Sequence, residues 1–189
     1  TECCVAEALT ADDKEKLIQI IDGRAGRNTL VINRLGALTR DYGWTITQLE
    51  KELIDRNFNI RQGLSESNAE YIDERTLQDE LNKLYDYNEI KNAAERSILE
   101  GFTLLADVPT DIATCAKWFS RDAEIDEDRC RIALMRLMRR SWLLSAKSKQ
   151  NEAIIDNYSM HNIVRAAIKA QVEVNREEHQ DLIMKVWTN

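Results

Sequence analysis

The chain has 189 residues, of which 43% are hydrophobic and 31% charged, a balance that supplies a core and argues against a disordered segment. A single proline and six glycines among abundant Leu, Ile, Ala, Glu, Lys and Arg argue against an all-β chain. Its 26 Lys and Arg against 33 Asp and Glu leave a net charge of −7, which opposes unassisted binding to nucleic acid or an anionic membrane.

Thr10 ahead of Ala11, Asp12 and Asp13 offers a helix cap and first-turn acids, followed by Leu17, Ile18, Ile20 and Ile21. The pattern predicts a helix from about 11 to 22. Residues 23–28, with two glycines and Asn28, end it, and Leu30, Ile32, Leu35 and Leu38 mark a second helix. After Gly43 and Trp44 a third carries Ile46, Leu49, Leu53 and Ile54 at helical spacing. Residues 59–73 are polar and weakly periodic and read as a long exposed connection. A fourth helix, about 74 to 85, carries Leu77, Leu81 and Leu84. These make a helical bundle subdomain over residues 1–86.

From Tyr87 the most apolar helix carries Ile90, Ala94, Ile98, Phe102 and Leu105 toward a core, and Pro109 stops it. Residues 110–119 read as a short helix with Ile112, Cys115, Ala116 and Phe119 inward. A longer one, about 126 to 141, turns Ile132, Met135, Leu137 and Met138 inward. Residues 145–151 are polar and turn-like, and Ala153, Ile154, Ile155 and Tyr158 are β-formers, which predicts a small hairpin. A last helix begins near Met160 and keeps Ile163, Val164, Ala167, Ile168 and Val172 on one stripe. The expected fold is mainly α: a helical bundle followed by a winged-helix domain, residues 87–174, with a small β-hairpin wing. Residues 175–189, charged and then apolar through Leu182, Ile183, Met184, Val186 and Trp187, read as a C-terminal helix or the start of a downstream repeat region.

No run approaches the roughly 18 apolar residues of a spanning helix, and the first residues lack a secretory pattern, so the chain reads as cytoplasmic with no membrane partner. Cys3, Cys4, Cys115 and Cys130 show no metal-binding spacing with each other or with a histidine, which predicts reduced thiols and no metal site.

The order of features resembles the regulatory half of the NB-ARC, or STAND-class, signal-transduction ATPases. Ala25-Gly26-Arg27-Asn28-Thr29-Leu30-Val31-Ile32, then Leu35-Gly36, is similar to the family's G-x-N-P-L-A-L element, with Thr29 where proline is expected. Met160-His161-Asn162 directly after the wing is similar to its Met-His-Asp element, with Asn162 in place of aspartate. The resemblance implies that Asn28 and Thr29 stand near an adenine and that His161 reaches the β-phosphate of bound ADP. It further implies ADP or ATP with Mg in the full-length protein, an upstream NTPase domain and a downstream repeat or sensor domain of the same chain as partners, and oligomerisation in the active state.

No G-x-x-x-x-G-K-[ST] loop occurs, so no catalytic residue and no cofactor is expected in this fragment itself. The expected function is a regulatory fragment that closes over ADP held upstream. A histidine at a helix start is also a common cap, and Arg24, Arg27 and Arg34 near the second helix are as consistent with surface ion pairs as with phosphates. His179 has no such context and reads as solvent-exposed. Two alternatives stand beside this reading. Arg129, Arg136 and Arg140 at helical spacing, with Arg131 and Arg139 nearby, suit a DNA-binding transcription regulator, against which the acidic total weighs. The third is a protein-interaction adaptor module.

Overall fold

The computed structural model describes residues 9–60, 74–105, 109–119, 125–150 and 153–174. The chain divides after Leu84 into two compact units. Among the described residues it is mainly helical, with a small three-stranded antiparallel sheet in the second unit.

In the first unit α1 (Ala11–Gln19) starts at Thr10, whose hydroxyl accepts the Asp13 N–H at 3.1 Å while the Asp13 carboxylate accepts the Thr10 N–H at 3.2 Å. This reciprocal pair satisfies donors that a helix start leaves open. The last turn widens into a π-type turn over Ile20–Arg24, closed by the Ala25 N–H on the Ile20 carbonyl at 2.9 Å. Gly26 and Arg27 then both take a φ of 56°, and Asn28 caps α2 (Thr29–Tyr42). Gly43 ends α2 in the left-handed conformation that glycine adopts without steric cost. A second reciprocal cap, Thr45 with Gln48, opens α3 (Ile46–Asp55), and α4 (Glu74–Leu84) completes the described part of the unit.

Its core includes Ile20, Val31, Leu35, Leu38, Leu53, Phe58 and Leu81, each stabilising the unit by about 1.5–3 kcal/mol when fully buried. Arg34 is buried with them, its Nε donating to the Leu84 carbonyl at 3.0 Å, and Arg56 donates to the Lys83 carbonyl at 3.0 Å. The two arginines thus satisfy carbonyls that the C-terminus of α4 leaves open.

The second unit begins with a 3-10 turn at Tyr87–Glu89 and α5 (Ala93–Leu104), capped by Asn92. Then come β1 (Thr110–Asp111), α6 (Ile112–Phe119), α7 (Glu127–Arg139), β2 (Leu144–Gln150), β3 (Ala153–Ser159) and α8 (Asn162–Gln171). The sheet order is β1-β3-β2, with Leu144 opposite Ser159, Gln150 opposite Ala153, and Thr110 opposite Tyr158. Three helices, a hairpin wing and a closing helix make a winged-helix arrangement.

Local chemistry sets the ends of α7. Asp126 accepts the Arg129 N–H at 2.8 Å, Glu127 and Asp128 occupy the first turn, and Arg136 and Arg139 the last, all favourable to the helix dipole. At its exit Ser141 takes a φ of 58°, and the Trp142 N–H donates to the Leu137 carbonyl at 2.9 Å, which swings Trp142 inward against the Tyr85 ring at 5.0 Å.

Several expectations change. Ile132 and Met135 are 49% and 39% exposed, because Cys130, Ala133, Leu134 and Leu137 form the stripe that α7 turns inward. Ile54 is 53% exposed, while Ile60, expected in an exposed connection, is fully buried with Phe58. Residues 61–73 of that connection lie outside the described residues, as do residues 175–189, His179, Cys3 and Cys4. The helix expected from Tyr87 begins only at Ala93, and Thr110 and Asp111 form a strand before α6. Residues 145–150, expected as a turn, belong to β2, because every residue of β2 from Leu144 to Gln150 faces a partner on β3. Val172 lies beyond α8 with an extended φ of −133°.

Candidate functional site

β3 delivers the chain to Met160, which is fully buried and anchors the start of α8. His161 follows as the N-cap of α8, with Nδ1 accepting the Ile163 N–H at 3.2 Å. An imidazole whose Nδ1 accepts must carry its proton on Nε2 when neutral, so the ring presents Nε2 as a donor. The side chain is half-buried, and the free main-chain N–H groups of the helix start lie beside it. Asn162 accepts a hydrogen bond from the Arg165 Nη1 at 2.9 Å, while Nε and Nη2 of Arg165 are buried without a hydrogen-bond partner. One turn of helix therefore carries an imidazole donor and an incompletely satisfied guanidinium.

The other expected site residues belong to the first unit. Asn28 commits its side-chain oxygen to the Val31 N–H at 3.2 Å, and Thr29 is exposed in the first turn of α2. The arginines around them serve the unit itself. Arg27 pairs with Asp22 at 2.8 Å, Arg24 donates to the Phe58 carbonyl at 3.1 Å, and Arg34 is the buried residue on the Leu84 carbonyl. Asn28 and His161 thus share a local role, each supplying the acceptor that starts a helix.

Sequence reasoning missed a second feature of the winged-helix unit, a cleft of about 420 Å³ between the start of α5 and the outer face of α7. Ala93, Ala94 and Ser97 form one wall, and Arg129, Ile132, Ala133 and Arg136 the other. Glu95 lies at its base, 4% exposed, with Arg136 at 3.5 Å from one carboxylate oxygen and Arg140 at 3.7 Å from the other. The signal was present: Glu95 is in register with Ile98, Phe102 and Leu105, a charge on an apolar stripe.

The two ends of the unit are tied by Gln171. Its side-chain oxygen accepts the Tyr87 N–H at 2.9 Å and its amide nitrogen donates to the Tyr85 and Ala167 carbonyls. Tyr87 in turn donates its hydroxyl to Glu100, beneath the guanidinium of Arg96, which is 5.3 Å from the ring centre. Burial first, and then the Glu100 carboxylate, push the Tyr87 hydroxyl pKa well above its ordinary range.

No family model, curated protein or solved structure matches the chain.

Proposed function

We propose that this chain is the helical and winged-helix regulatory region of a larger nucleotide-switched signalling ATPase of the NB-ARC kind, closing over ADP held by an NTPase domain of the same protein. The observation that carries the reading is His161, set at the junction of wing and α8 with Nδ1 occupied by its own helix and Nε2 left to donate. A ring N–H beside a helix start suits a phosphate oxygen, and such a charge-assisted bond exists only while the phosphate is within reach.

One hydrogen bond of about 1.5–3 kcal/mol is short of the roughly 5 kcal/mol that nearly complete switching between two states requires. A larger surface must therefore change together with it. On this reading the chain carries regulation and the NTPase domain carries hydrolysis, with ATP or ADP and Mg bound there.

Calorimetric titration tests this. ADP with Mg added to the chain alone should give no binding heat, whereas the parent protein should retain ADP and its His161→Ala variant should hold it about tenfold less tightly, a loss of about 1.4 kcal/mol. Tight ADP binding by the chain alone, or an unchanged affinity in the variant, sinks the proposal. The nucleic-acid alternative rests on Arg129, Arg136 and Arg140, with Arg131 and Arg139 nearby, of which all but the half-buried Arg140 are exposed. Micromolar, salt-sensitive binding to random duplex DNA would put that alternative first.

A further inference from the structure

Arg165 holds an unspent pair of donors one helical turn from His161. Its Nη1 donates to the Asn162 side-chain oxygen at 2.9 Å, which keeps the guanidinium folded back over the first turn of α8. Its Nε and Nη2 are buried, and among the described residues neither has a hydrogen-bond partner. Burying charged donors without acceptors is costly, so the unpaired groups mark where an acceptor belongs.

These two nitrogens form the edge with which a guanidinium grips an oxyanion. Arg27 shows the arrangement within this chain, donating from Nε at 2.8 Å and from Nη2 at 3.1 Å to the two carboxylate oxygens of Asp22. The guanidinium is planar and rigid, so Arg165 presents the same fork with nothing yet in it. The His161 ring is pinned to the same turn by its bond to the Ile163 N–H, with Nε2 left as a donor. The start of α8 adds open main-chain N–H groups and the positive end of its dipole. A carboxylate has two oxygens, fewer than these donors can serve, whereas a phosphoryl group offers a third. Asn162 is exposed and Arg165 half-buried, so a short swing of the long arginine stem brings the fork to a phosphate at the surface.

We propose that the start of α8 binds a phosphoryl group, with Arg165 gripping two of its oxygens from Nε and Nη2 and His161 donating to a third. The inference shares His161 with the nucleotide-switch reading and rests on that reading only for which molecule carries the phosphate. Arg165 is then the main anchor, because a two-point grip by a permanent charge outweighs one ring N–H.

Titrating the full chain with inorganic phosphate at constant ionic strength, followed by NMR, tests it. The Arg165 Nε–H signal and the amides of residues 162–164 should shift together and saturate at millimolar phosphate, binding too weak to give heat in the ADP titration of the chain alone. Arg165→Lys, which keeps the charge and loses the fork, should bind phosphate about tenfold more weakly, as should Arg165→Ala. Should the alanine variant misfold, the lysine variant decides. Acetate should need about tenfold more ligand for the same shift. Absent or non-saturating shifts overturn the proposal, as does a lysine variant that binds like the wild type or acetate that binds like phosphate. Saturable phosphate binding by the chain, beside a parent protein whose ADP affinity ignores His161→Ala, would support this inference and sink only the nucleotide-switch reading.

Discussion

Nδ1 of His161 accepts the Ile163 N–H at 3.2 Å, so one ring nitrogen is spent on the helix and the other is set as a donor. The two roles separate by substitution. His161→Ala should lower stability by about 1 kcal/mol in urea denaturation, the ordinary cost of losing a cap, while His161→Asp, whose carboxylate can also cap, should restore most of it. In the parent protein both should hold ADP less tightly, because neither side chain donates to phosphate. If the aspartate variant is as unstable as the alanine variant, the ring does not work as a cap.

Glu95 predicts an asymmetry. Removing both guanidiniums in an Arg136→Ala/Arg140→Ala double variant leaves a buried carboxylate uncompensated, and should destabilise by about 3–5 kcal/mol. Glu95→Ala should cost less, about 2 kcal/mol, because the Arg136 side chain, 59% exposed, can return to water. Equal losses on thermal unfolding would mean that the ion pairs act as a unit rather than as shielding for a buried acid.

Asp111 gives a pH dependence. Burial works to raise its pKa, but the hydroxyl and N–H of Thr114, at 2.7 and 2.9 Å, with neighbouring amides, hold it below the ordinary 3.8. A carboxylate depressed in the folded state adds stability that is complete above its unfolded pKa and is lost as pH falls through the lower folded value. Asp111→Ala should therefore destabilise by about 1 kcal/mol at neutral pH. The gap between variant and wild type should shrink below pH 3.8, and a gap constant with pH would rule out the charged cap.

Burial lifts both described thiols, Cys130 to about 12 with help from Glu127, and Cys115 higher still, with help from Cys130 and Asp111. At pH 8 a thiol with a pKa of about 12 is ionised in roughly one molecule in ten thousand. In a Cys3→Ser/Cys4→Ser variant, Ellman's reagent should label Cys115 and Cys130 only at the rate of unfolding. Fast labelling of the folded chain would show that water reaches one of them.

Much of the helical framework could be read from periodicity, and the start of α1 from Thr10, whereas the caps at Asn28, Thr45 and Asp126 emerge from the structure. On α7 two stripes competed. Ile132 and Met135 are the larger side chains, but Cys130 and Ala133 are small enough for α7 to pack on α5 and α6, and close packing decided the matter. β2 hid for a different reason: Leu144 to Ser148 are all exposed, so no alternation marks them, and their strand character comes from pairing with β3. His161 stood out in the sequence through its neighbours Met160 and Asn162, and what the structure gives it is the N-cap of α8. Gln171 could not be found, because the Tyr87 N–H and the Tyr85 carbonyl that it holds lie more than eighty positions away.

Among the described residues the sheet order leaves β2 with one long side unpaired, and two-residue β1 covers β3 only opposite Asn157 and Tyr158. A row of open amides and carbonyls of this kind is a template on which another extended chain can nucleate a fibre. Lys147, exposed on β2 and opposite Asp156, is a safeguard, since stacking a further strand there would strip water from an ammonium group. Lys147→Val should therefore leave the protein more prone than the wild type to turn turbid on storage.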